Sequence, residues 1–515
     1  MFGKLILETL IDILDGSDEE ESSESDQEIL ENEEQNTESG NIPLFFDRTF
    51  QGSKALGEKI PSDDIIWLRP HEISDQPPKM YVDGSSQRDI KQGELGDCWL
   101  LAAMATISQH QELLERVCPD QTFDFKEGYN GQFKIRFWQY GNWVEVTIDD
   151  RLPTRDGKLI FVHSDTNNEF WPALVEKAYA KLNYSYSNLS GGHGSEGMVD
   201  LTGGTSEYLH IRDDDDQLKL DIHDIYEKIK DCLEEQALIT CAIKGVPGET
   251  EAQKENGLVC GHAYSITGAE VLLSGDETYH CVRVRNPWGQ HEWKGAFSDK
   301  DPIWDDICFH DDLSNLRKND GEFWMSIQDF TENFHTFEIC RLNMSDFESE
   351  GRWIERILSS QWSNSPVDNQ LEGTAGGCTN HETFCNNPFM IFSVSGEKES
   401  DECIISLSQK HRRRHKKSGS SMLTIGFCVF KIDDAEVPNL DGDVENCSLG
   451  EILNITEKRV FSTTFTNLRD LTQRVTLPGA GYYVIVPSTF EPGLEGKFYM
   501  RVYVEKPDFR RQRYW

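Results

Sequence analysis

Two different periods of hydrophobic residues divide this chain. In residues 44–203, apolar and alanine-rich runs predominate and predict helices joined by loops. The run that follows Cys98 predicts a buried helix, and the spacing of apolar residues over 171–189 predicts a second long helix. We therefore expect residues 44–203 to form a largely helical lobe.

Beyond that lobe the pattern changes to β-branched and alternating runs. In residues 204–341 such runs occur at 238–243, 263–266 and 281–285 and predict a strand-rich lobe. In residues 342–515, short alternating runs between Gly, Pro and Asn turns predict an antiparallel β-sandwich. The predicted fold class is α+β, with a two-lobed body followed by a sandwich.

Residues 1–43 form a separate extension. Apolar residues at near-helical spacing in 1–16 predict an amphipathic helix, which docks on its own chain or binds a partner or a membrane surface. The Asp-, Glu- and Ser-rich segment 17–40 cannot bury enough apolar surface to fold, so we expect it to be disordered. The positive start is a single Lys4 and no small-residue cleavage site follows, so a signal peptide is not expected.

Composition narrows the function classes. The 515 residues carry a formal net charge of -41, which disfavours nucleic acid as a partner and is compatible with calcium. Thirteen cysteines without a secretory signal indicate reduced thiols and a cytoplasmic location. No apolar run approaches the roughly 20 residues that span a bilayer.

Cys98 is the first candidate catalytic residue. A glycine-rich turn precedes it, so the thiol lies at the first turn of a helix, where the positive end of the helix dipole favours a thiolate. Gln92 lies on the same turn, and its amide together with the Cys98 backbone N–H could stabilise an oxyanion. The alternative is an inert buried thiol, since most buried cysteines are inert.

The strand-rich lobe supplies the remaining groups of a catalytic site. His262 and Asn286 follow Cys98 in the order that papain-like catalysis uses, with a thiolate, a proton-sharing His and an Asn that orients the ring. Trp288, two residues after Asn286, could cover the Asn–His contact and exclude water. Four matched positions in this order favour a cysteine protease over a chance arrangement.

These motifs resemble the calpain family of calcium-dependent cysteine proteases. The resemblance covers about residues 44–510 and is most specific at 92–103, 168–181, 261–265, 285–293 and 320–326. It implies a papain-like cysteine protease core followed by a calpain-type domain III, and an intracellular endopeptidase that makes limited cuts in protein substrates. It also implies an inhibitor protein as a partner and weak phospholipid contact through the sandwich.

The resemblance further implies two calcium ions, one in each lobe, that swing the lobes together. The first site would use the backbone carbonyls of Val82 and Gly84 with the carboxylates of Asp89 and Glu169. The second would use the carboxylates of Glu292, Asp299, Asp320 and Glu322 with a backbone carbonyl near Lys318. Oxygen ligands of this kind suit calcium. The paired Gly203 and Gly204 between the lobes are hinge candidates, although a plain turn is the alternative.

The sequence departs from the family pattern at several places. The family commonly has Arg where this chain has Gln87, and here the Arg stands one place later, at Arg88. No EF-hand loop follows the sandwich, so a small EF-hand subunit is not expected as a partner. The basic run 411–417 is a solvated strand end, a contact with an acidic loop or lobe, or a lipid-binding patch.

Two other functions remain alternatives. A calpain-like adaptor would bind partners without proteolysis, although this chain keeps Cys98, His262 and Asn286. A transglutaminase-type acyl transfer to amines also uses Cys and His, but it orients the His with Asp, whereas this chain has Asn286.

Overall fold

The structure is a computed structural model that describes part of the 515 residues. The described ranges are 43–86, 89–213, 215, 217–245, 252–307, 320–342, 353–366, 373–394, 401–414, 422–432, 448–454 and 456–505. The expected helix at 1–16 and the acidic segment 17–40 lie outside these ranges, as do Gln87, Arg88 and Lys318. None of the helices in the described ranges has the length and apolar character needed to cross a membrane. The described residues from Phe46 onward belong to one compact unit.

Helices and strands are numbered here in chain order within the described ranges. The helices are α1 (Gly52–Leu56), α2 (Pro70–Ile73), α3 (Cys98–Ile107), α4 (Gln111–Val117), α5 (Trp171–Leu182), α6 (Gly194–Thr202), α7 (Ile222–Glu234), α8 (Ile327–Asn333) and α9 (Leu449–Asn454). The strands are β1 (Ile66–Leu68), β2 (Gln132–Gln139), β3 (Asn142–Asp149), β4 (Leu152–Arg155), β5 (Lys158–Leu159), β6 (Thr205–His210), β7 (Leu238–Ile243), β8 (His262–Ser274), β9 (Glu277–Arg285), β10 (Glu322–Ser326), β11 (Thr336–Arg341), β12 (Trp353–Trp362), β13 (Met390–Val394), β14 (Asp401–Gln409), β15 (Ile425–Ile432), β16 (Thr456–Ser462), β17 (Asp470–Leu477), β18 (Gly481–Thr489) and β19 (Gly496–Glu505).

Helix α3 lies at the centre of the fold. It is apolar on every side, and each of its residues is buried. It packs against α6 in its own lobe and against β7 and β8 of the strand-rich lobe. A helix with no polar face needs such neighbours on all sides, so α3 joins the two lobes.

The long helix expected over 171–189 is shorter in the structure. Helix α5 ends at Leu182, and a 3₁₀ turn covers Tyr186–Leu189. Tyr184 has a φ of 76°, a left-handed conformation that an α-helix does not accommodate. The Asn183 side chain donates a hydrogen bond to the Tyr179 carbonyl at 3.0 Å and so caps the last turn.

Strands also occur in the lobe that was expected to be helical. Strands β2 and β3 form an antiparallel hairpin, and β1, β4 and β5 form a three-stranded sheet. The hairpin turns at Tyr140 and Gly141, both at positive φ, as two-residue hairpin turns prefer. The signal was in the sequence, since β2 alternates buried Phe133 and Ile135 with exposed Lys134.

The strand-rich lobe is built on one antiparallel sheet of six strands in the order β10-β9-β8-β7-β11-β6. Helix α7 covers this sheet with its buried face, which carries Ile225, Tyr226, Ile229 and Cys232. Strand β8 begins at His262, and β9 ends one residue before Asn286. Because β8 and β9 are antiparallel neighbours, the start of β8 and the end of β9 lie side by side, and His262 and Asn286 come to the same end of the sheet.

The C-terminal part is a β-sandwich, as the alternating pattern predicted. One sheet has the order β12-β19-β14-β17 and the other β13-β18-β15-β16, and all their pairings are antiparallel. Their inner faces share one hydrophobic core that contains Trp362, Phe427 and Phe498. The fold is therefore α+β, with a two-lobed core followed by a sandwich.

Three arginines of the sandwich enter the helical lobe. Arg413 binds Glu196 of α6 at 2.8 Å, and Arg469 binds Asp200 of the same helix at 2.8 Å. The basic run 411–417 was expected to be solvated, to contact an acidic loop or lobe, or to bind lipid. For Arg413 the structure shows contact with an acidic part of the helical lobe, and only 7% of the Arg413 surface is exposed. His415 and the two lysines that follow it lie outside the described residues.

The third arginine contacts the proposed hinge. Gly203 has a φ of 77° and ends α6, so this position suits glycine. The Arg501 guanidinium donates hydrogen bonds to the Gly203 and Gly204 carbonyls, at 2.8 Å for the first. The link between the two lobes is thus also bound to the sandwich.

Candidate active site

Cys98 is the first residue of α3, and only 9% of its surface is exposed. The loop before it approaches the chain closely at Gly93, where a Cβ would lie 2.2 Å from the Ile160 carbonyl oxygen. Glycine is therefore required there, and it fixes the path of the chain into the helix. At a helix start the first backbone N–H groups have no partner within the helix, so they are available as hydrogen-bond donors there.

His262 and Asn286 form a buried hydrogen-bonded pair. The distance between His262 Nε2 and Asn286 Oδ1 is 2.8 Å, and at most 1% of either residue is exposed. Because the amide oxygen accepts, Nε2 carries the proton in this contact, and Nδ1 is the nitrogen left for proton exchange. The helix that begins at Cys98 packs against the strand that begins at His262.

Trp288 covers the His–Asn pair and also reaches the other lobe. Its ring centroid lies 4.6 Å from that of His262, and its backbone N–H donates to Asn286 Oδ1 at 3.0 Å. Its indole N–H donates to Gln92 Oε1 at 2.8 Å. Sequence patterns do not predict this last bond, because a contact between residues 196 positions apart depends on how the lobes pack.

Gln92 has two different contacts at the site. Its amide oxygen accepts from Trp288, and its Nε2 donates to the Leu95 carbonyl at 2.7 Å. An amide nitrogen has two N–H groups, so Nε2 has a second donor besides the one that Leu95 accepts. This arrangement fits a donor for an oxyanion, held in place by its neighbours.

Two buried carboxyls near the Cys98 helix start were not predicted. Asp97 immediately precedes Cys98 and is fully buried, and Glu176 lies on α5 and accepts from the Val162 N–H at 3.2 Å. Burial, followed by repulsion from Asp97, raises the pKa of Glu176 well above its usual value. Only the packing of α5 against the α3 start reveals this pair.

The residues expected at the first calcium site lie close together. Glu169 accepts from the Val82 N–H at 2.8 Å and from the Ser164 hydroxyl at 2.7 Å, and only 2% of it is exposed. Burial first, and the nearby Asp89 charge as a smaller cause, raise the pKa of Glu169 to about 7. Gly84, at a φ of 92°, lies on the turn that follows Val82. Asp89 and Glu169 are thus two neighbouring buried carboxyls on different loops, and such a pair fits a hard cation.

The residues expected at the second site are only partly brought together. Glu292 accepts from the Gly321 N–H at 2.8 Å, and burial first, then the Asp320 charge, raises the pKa of Glu292. Glu322 lies on β10, where it accepts from the Thr267 hydroxyl at 2.7 Å and pairs with Arg283 at 3.5 Å. Lys318 lies outside the described residues. Asp299 is in the loop between β9 and β10.

A two-lobed α+β core with a helix-start cysteine and a buried His–Asn pair defines the class of papain-like cysteine proteases. Residues 45–341 match the calpain family cysteine protease, and residues 350–503 match the calpain large subunit, domain III. The chain belongs to the calpain family.

Individual relatives agree. The chain is 42% identical to the calpain-2 catalytic subunit of Mus musculus and 41% identical to that of Gallus gallus, each over 485 residues. It is 41% identical to calpain-8 of Rattus norvegicus over 473 residues. These alignments cover 88–90% of this chain and 64–66% of the relatives, so the chain spans somewhat less than two thirds of their length.

Proposed function

We propose that this chain is a calcium-regulated cysteine endopeptidase that makes limited cuts in protein substrates. The observation that carries the proposal is the buried hydrogen bond between His262 and Asn286, on the strands against which the Cys98 helix packs. An inert buried cysteine would not require an imidazole held by an amide beneath a tryptophan ring.

The proposed chemistry is acyl transfer to the thiol, followed by hydrolysis. The Cys98 thiolate attacks the scissile carbonyl carbon, and the carbonyl oxygen becomes an oxyanion that the Gln92 amide and the Cys98 N–H stabilise. As the C–N bond breaks, His262 gives its proton to the leaving amine. Water then attacks the thioester carbonyl carbon and loses its proton to His262. The C–S bond breaks, which releases the acid and restores the Cys98 thiolate. Asn286 keeps the imidazole oriented throughout.

Calcium regulation is supported by the acidic groups of each lobe. Asp89 and Glu169, with backbone carbonyls at Val82 and Gly84, would hold one ion, and the raised pKa of Glu169 reflects buried carboxyls that a cation would relieve. Glu292, Asp299, Asp320, Glu322 and the Lys318 carbonyl would hold the other. Bound calcium would supply positive charge that favours one arrangement of the lobes.

Such regulation has a simple physical basis. Cys98 and His262 belong to different lobes, joined at Gly203 and Gly204. A displacement of about 1 Å between reacting groups can cost on the order of 100-fold in rate. A small rotation about this link therefore suffices to switch catalysis off.

The remaining expectations follow from the family and stay proposals. Protein substrates are expected to bind at the Cys98–His262 site as extended segments, and an inhibitor protein could occupy the same site. The eleven cysteines in the described ranges are free thiols, which supports a cytoplasmic location. Weak phospholipid contact through the sandwich would have to use groups other than Arg413, which is buried. Nucleic acid is not proposed as a partner, because the net charge of -41 would repel phosphates.

The test is casein or peptide hydrolysis measured against free calcium. We expect Cys98→Ser to abolish cleavage, whereas Cys385→Ser, which changes an exposed free thiol, keeps wild-type rates. The free calcium needed for half-maximal cleavage should rise in Asp89→Ala and Glu322→Ala. It should stay unchanged in the controls Glu112→Ala and Asp276→Ala, which change exposed acidic residues. Full activity of Cys98→Ser would refute the protease, and calcium-independent cleavage would refute the regulation. Amine incorporation in place of hydrolysis would indicate transglutaminase-type transfer.

A further inference from the structure

A cluster of metal-ligating side chains lies on the strand-rich lobe, away from the catalytic groups. His223 and Glu227 lie on α7, and His280 lies on the neighbouring strand β9. One ligand atom from each residue lies within 4.8 Å of those of the other two. Neither the proposed catalysis nor the proposed calcium sites use these residues.

Local structure explains why the three side chains meet. Residues four apart share one face of a helix, and His223 Nδ1 lies 4.0 Å from Glu227 Oε1. Asp221 fixes the helix start by accepting from the His223 N–H at 2.8 Å. The Tyr226 ring packs edge-on against His280 with a centroid distance of 4.5 Å and holds that imidazole toward α7.

The donor set selects the kind of metal. Two imidazoles and one carboxylate are typical ligands of Zn²⁺ and similar divalent transition metals, whereas calcium prefers oxygen ligands. With metal–nitrogen distances of about 2.0–2.1 Å, tetrahedral ligand atoms lie roughly 3.3 Å apart. The His223 and Glu227 side chains are 64% and 45% exposed, so they can move the ångström that this requires.

One of these three side chains, that of His280, has a buried nitrogen without a hydrogen-bond partner among the described residues. Within the described part of the chain, His280 Nδ1 is buried and makes no hydrogen bond. Such buried nitrogens are uncommon in folded proteins. His223 and His280 are also close, with ring centroids 5.7 Å apart.

We propose that His223, Glu227 and His280 bind one divalent transition-metal ion of the Zn²⁺ class, with water completing its coordination. The ion joins α7 to β9, whose last residue Arg285 immediately precedes Asn286. It therefore fastens a helix to a strand of the sheet that carries the candidate catalytic His and Asn. The proposal does not depend on proteolytic activity.

The test uses Co²⁺ as the spectroscopic probe and Zn²⁺ for calorimetry, on the full chain carrying Cys98→Ser and with saturating calcium. The serine removes the candidate catalytic thiol as a ligand, and calcium occupies oxygen sites. We expect one Co²⁺ per chain with visible bands of nitrogen and oxygen ligands, without a sulfur charge-transfer band. Zn²⁺ should displace it and raise the melting temperature.

Matched variants localise the ion. His280→Asn and Glu227→Gln should weaken Zn²⁺ binding by about 100-fold or more, because even changes behind a metal ligand cost about 10- to 100-fold. His381→Asn, at a histidine that pairs with Glu491 at 3.7 Å, should bind Zn²⁺ as before. If His280→Asn does not fold, Glu227→Gln on the helix surface decides the matter. Unchanged binding in Glu227→Gln, or a cobalt spectrum with thiolate bands, would overturn the proposal.

Discussion

The contact between Arg413 and Glu196 gives the sharpest prediction of stability. Both side chains are at most 7% exposed, and Arg413 Nε and Nη2 donate to the same Glu196 oxygen at 3.2 and 2.8 Å. The guanidinium also donates to the Gly191 carbonyl at 2.9 Å and lies 4.2 Å above the ring of Trp99, the residue after Cys98. The sandwich is therefore bonded to α6 and contacts the helix that begins at the candidate nucleophile.

Arg413→Met keeps most of the volume and removes the charge. Removing one partner of a buried ion pair typically costs about 3–5 kcal/mol, because the other charge stays buried without compensation. Arg469 also lies near Glu196, with its guanidinium donating to the Glu196 carbonyl at 3.2 Å, so we expect about 3 kcal/mol. The double variant Arg413→Met with Glu196→Gln should recover more than half of that loss.

Urea-induced unfolding of the four proteins in this double-mutant cycle measures the coupling. Arg414→Met is the matched control, since this partly exposed neighbour only approaches the Tyr184 ring at 5.6 Å, and it should change the unfolding free energy by about 1 kcal/mol or less. Equal stability of Arg413→Met and the wild type would refute the reasoning, as would a double variant no more stable than Arg413→Met.

Three further predictions concern the site and its pH dependence. Asn286→Ala should lower kcat about 10- to 100-fold with little change in KM, because a buried hydrogen bond to a charged group contributes about 1.5–3 kcal/mol; a wild-type kcat would contradict this. Gln92→Ala should lower kcat about 100-fold or more, because an oxyanion donor is lost. Trp288→Phe keeps a ring over His262 and should lower kcat much less. Equal losses of kcat in a steady-state peptide assay would contradict the role assigned to Gln92. Burial opposes ionisation of Glu196, but the Arg413 and Arg469 charges hold its pKa below the usual value. The ionised Glu196 therefore stabilises the folded state above about pH 4.5, and this contribution disappears as the pH falls through the lower folded-state pKa. Acid unfolding followed by circular dichroism should therefore begin at a higher pH in Arg413→Met than in the wild type, and coincident curves would contradict the pairing.

Local chemistry explains which parts of the candidate site the sequence reveals. Cys98 follows a glycine-rich turn and starts an apolar helix, and this pattern lies within a dozen residues. His262 and Asn286 stand at the start of one strand and the end of the next, so antiparallel pairing alone brings them together. Such features depend on short segments and on simple sheet geometry, and both can be predicted.

Long-range packing explains what the sequence does not reveal. The Trp288–Gln92 hydrogen bond, the burial of Arg413 against α6 and the meeting of His280 with α7 all depend on how separate segments pack. The early end of α5 depends on one residue, Tyr184, that adopts a left-handed conformation. Neither hydrophobic period nor spacing encodes these contacts, because each joins residues whose own neighbourhoods give no sign of a partner.

The most direct test of the central claim is the calcium dependence of covalent labelling at Cys98. A peptide that carries a thiol-reactive epoxide is incubated with the full chain over a range of free calcium, and the modified residue is identified by mass spectrometry. The account predicts stoichiometric labelling of Cys98 that rises with calcium and is lost in His262→Ala, while exposed Cys385 stays unlabelled. Labelling of Cys98 at the same rate without calcium, or with His262 removed, would contradict it.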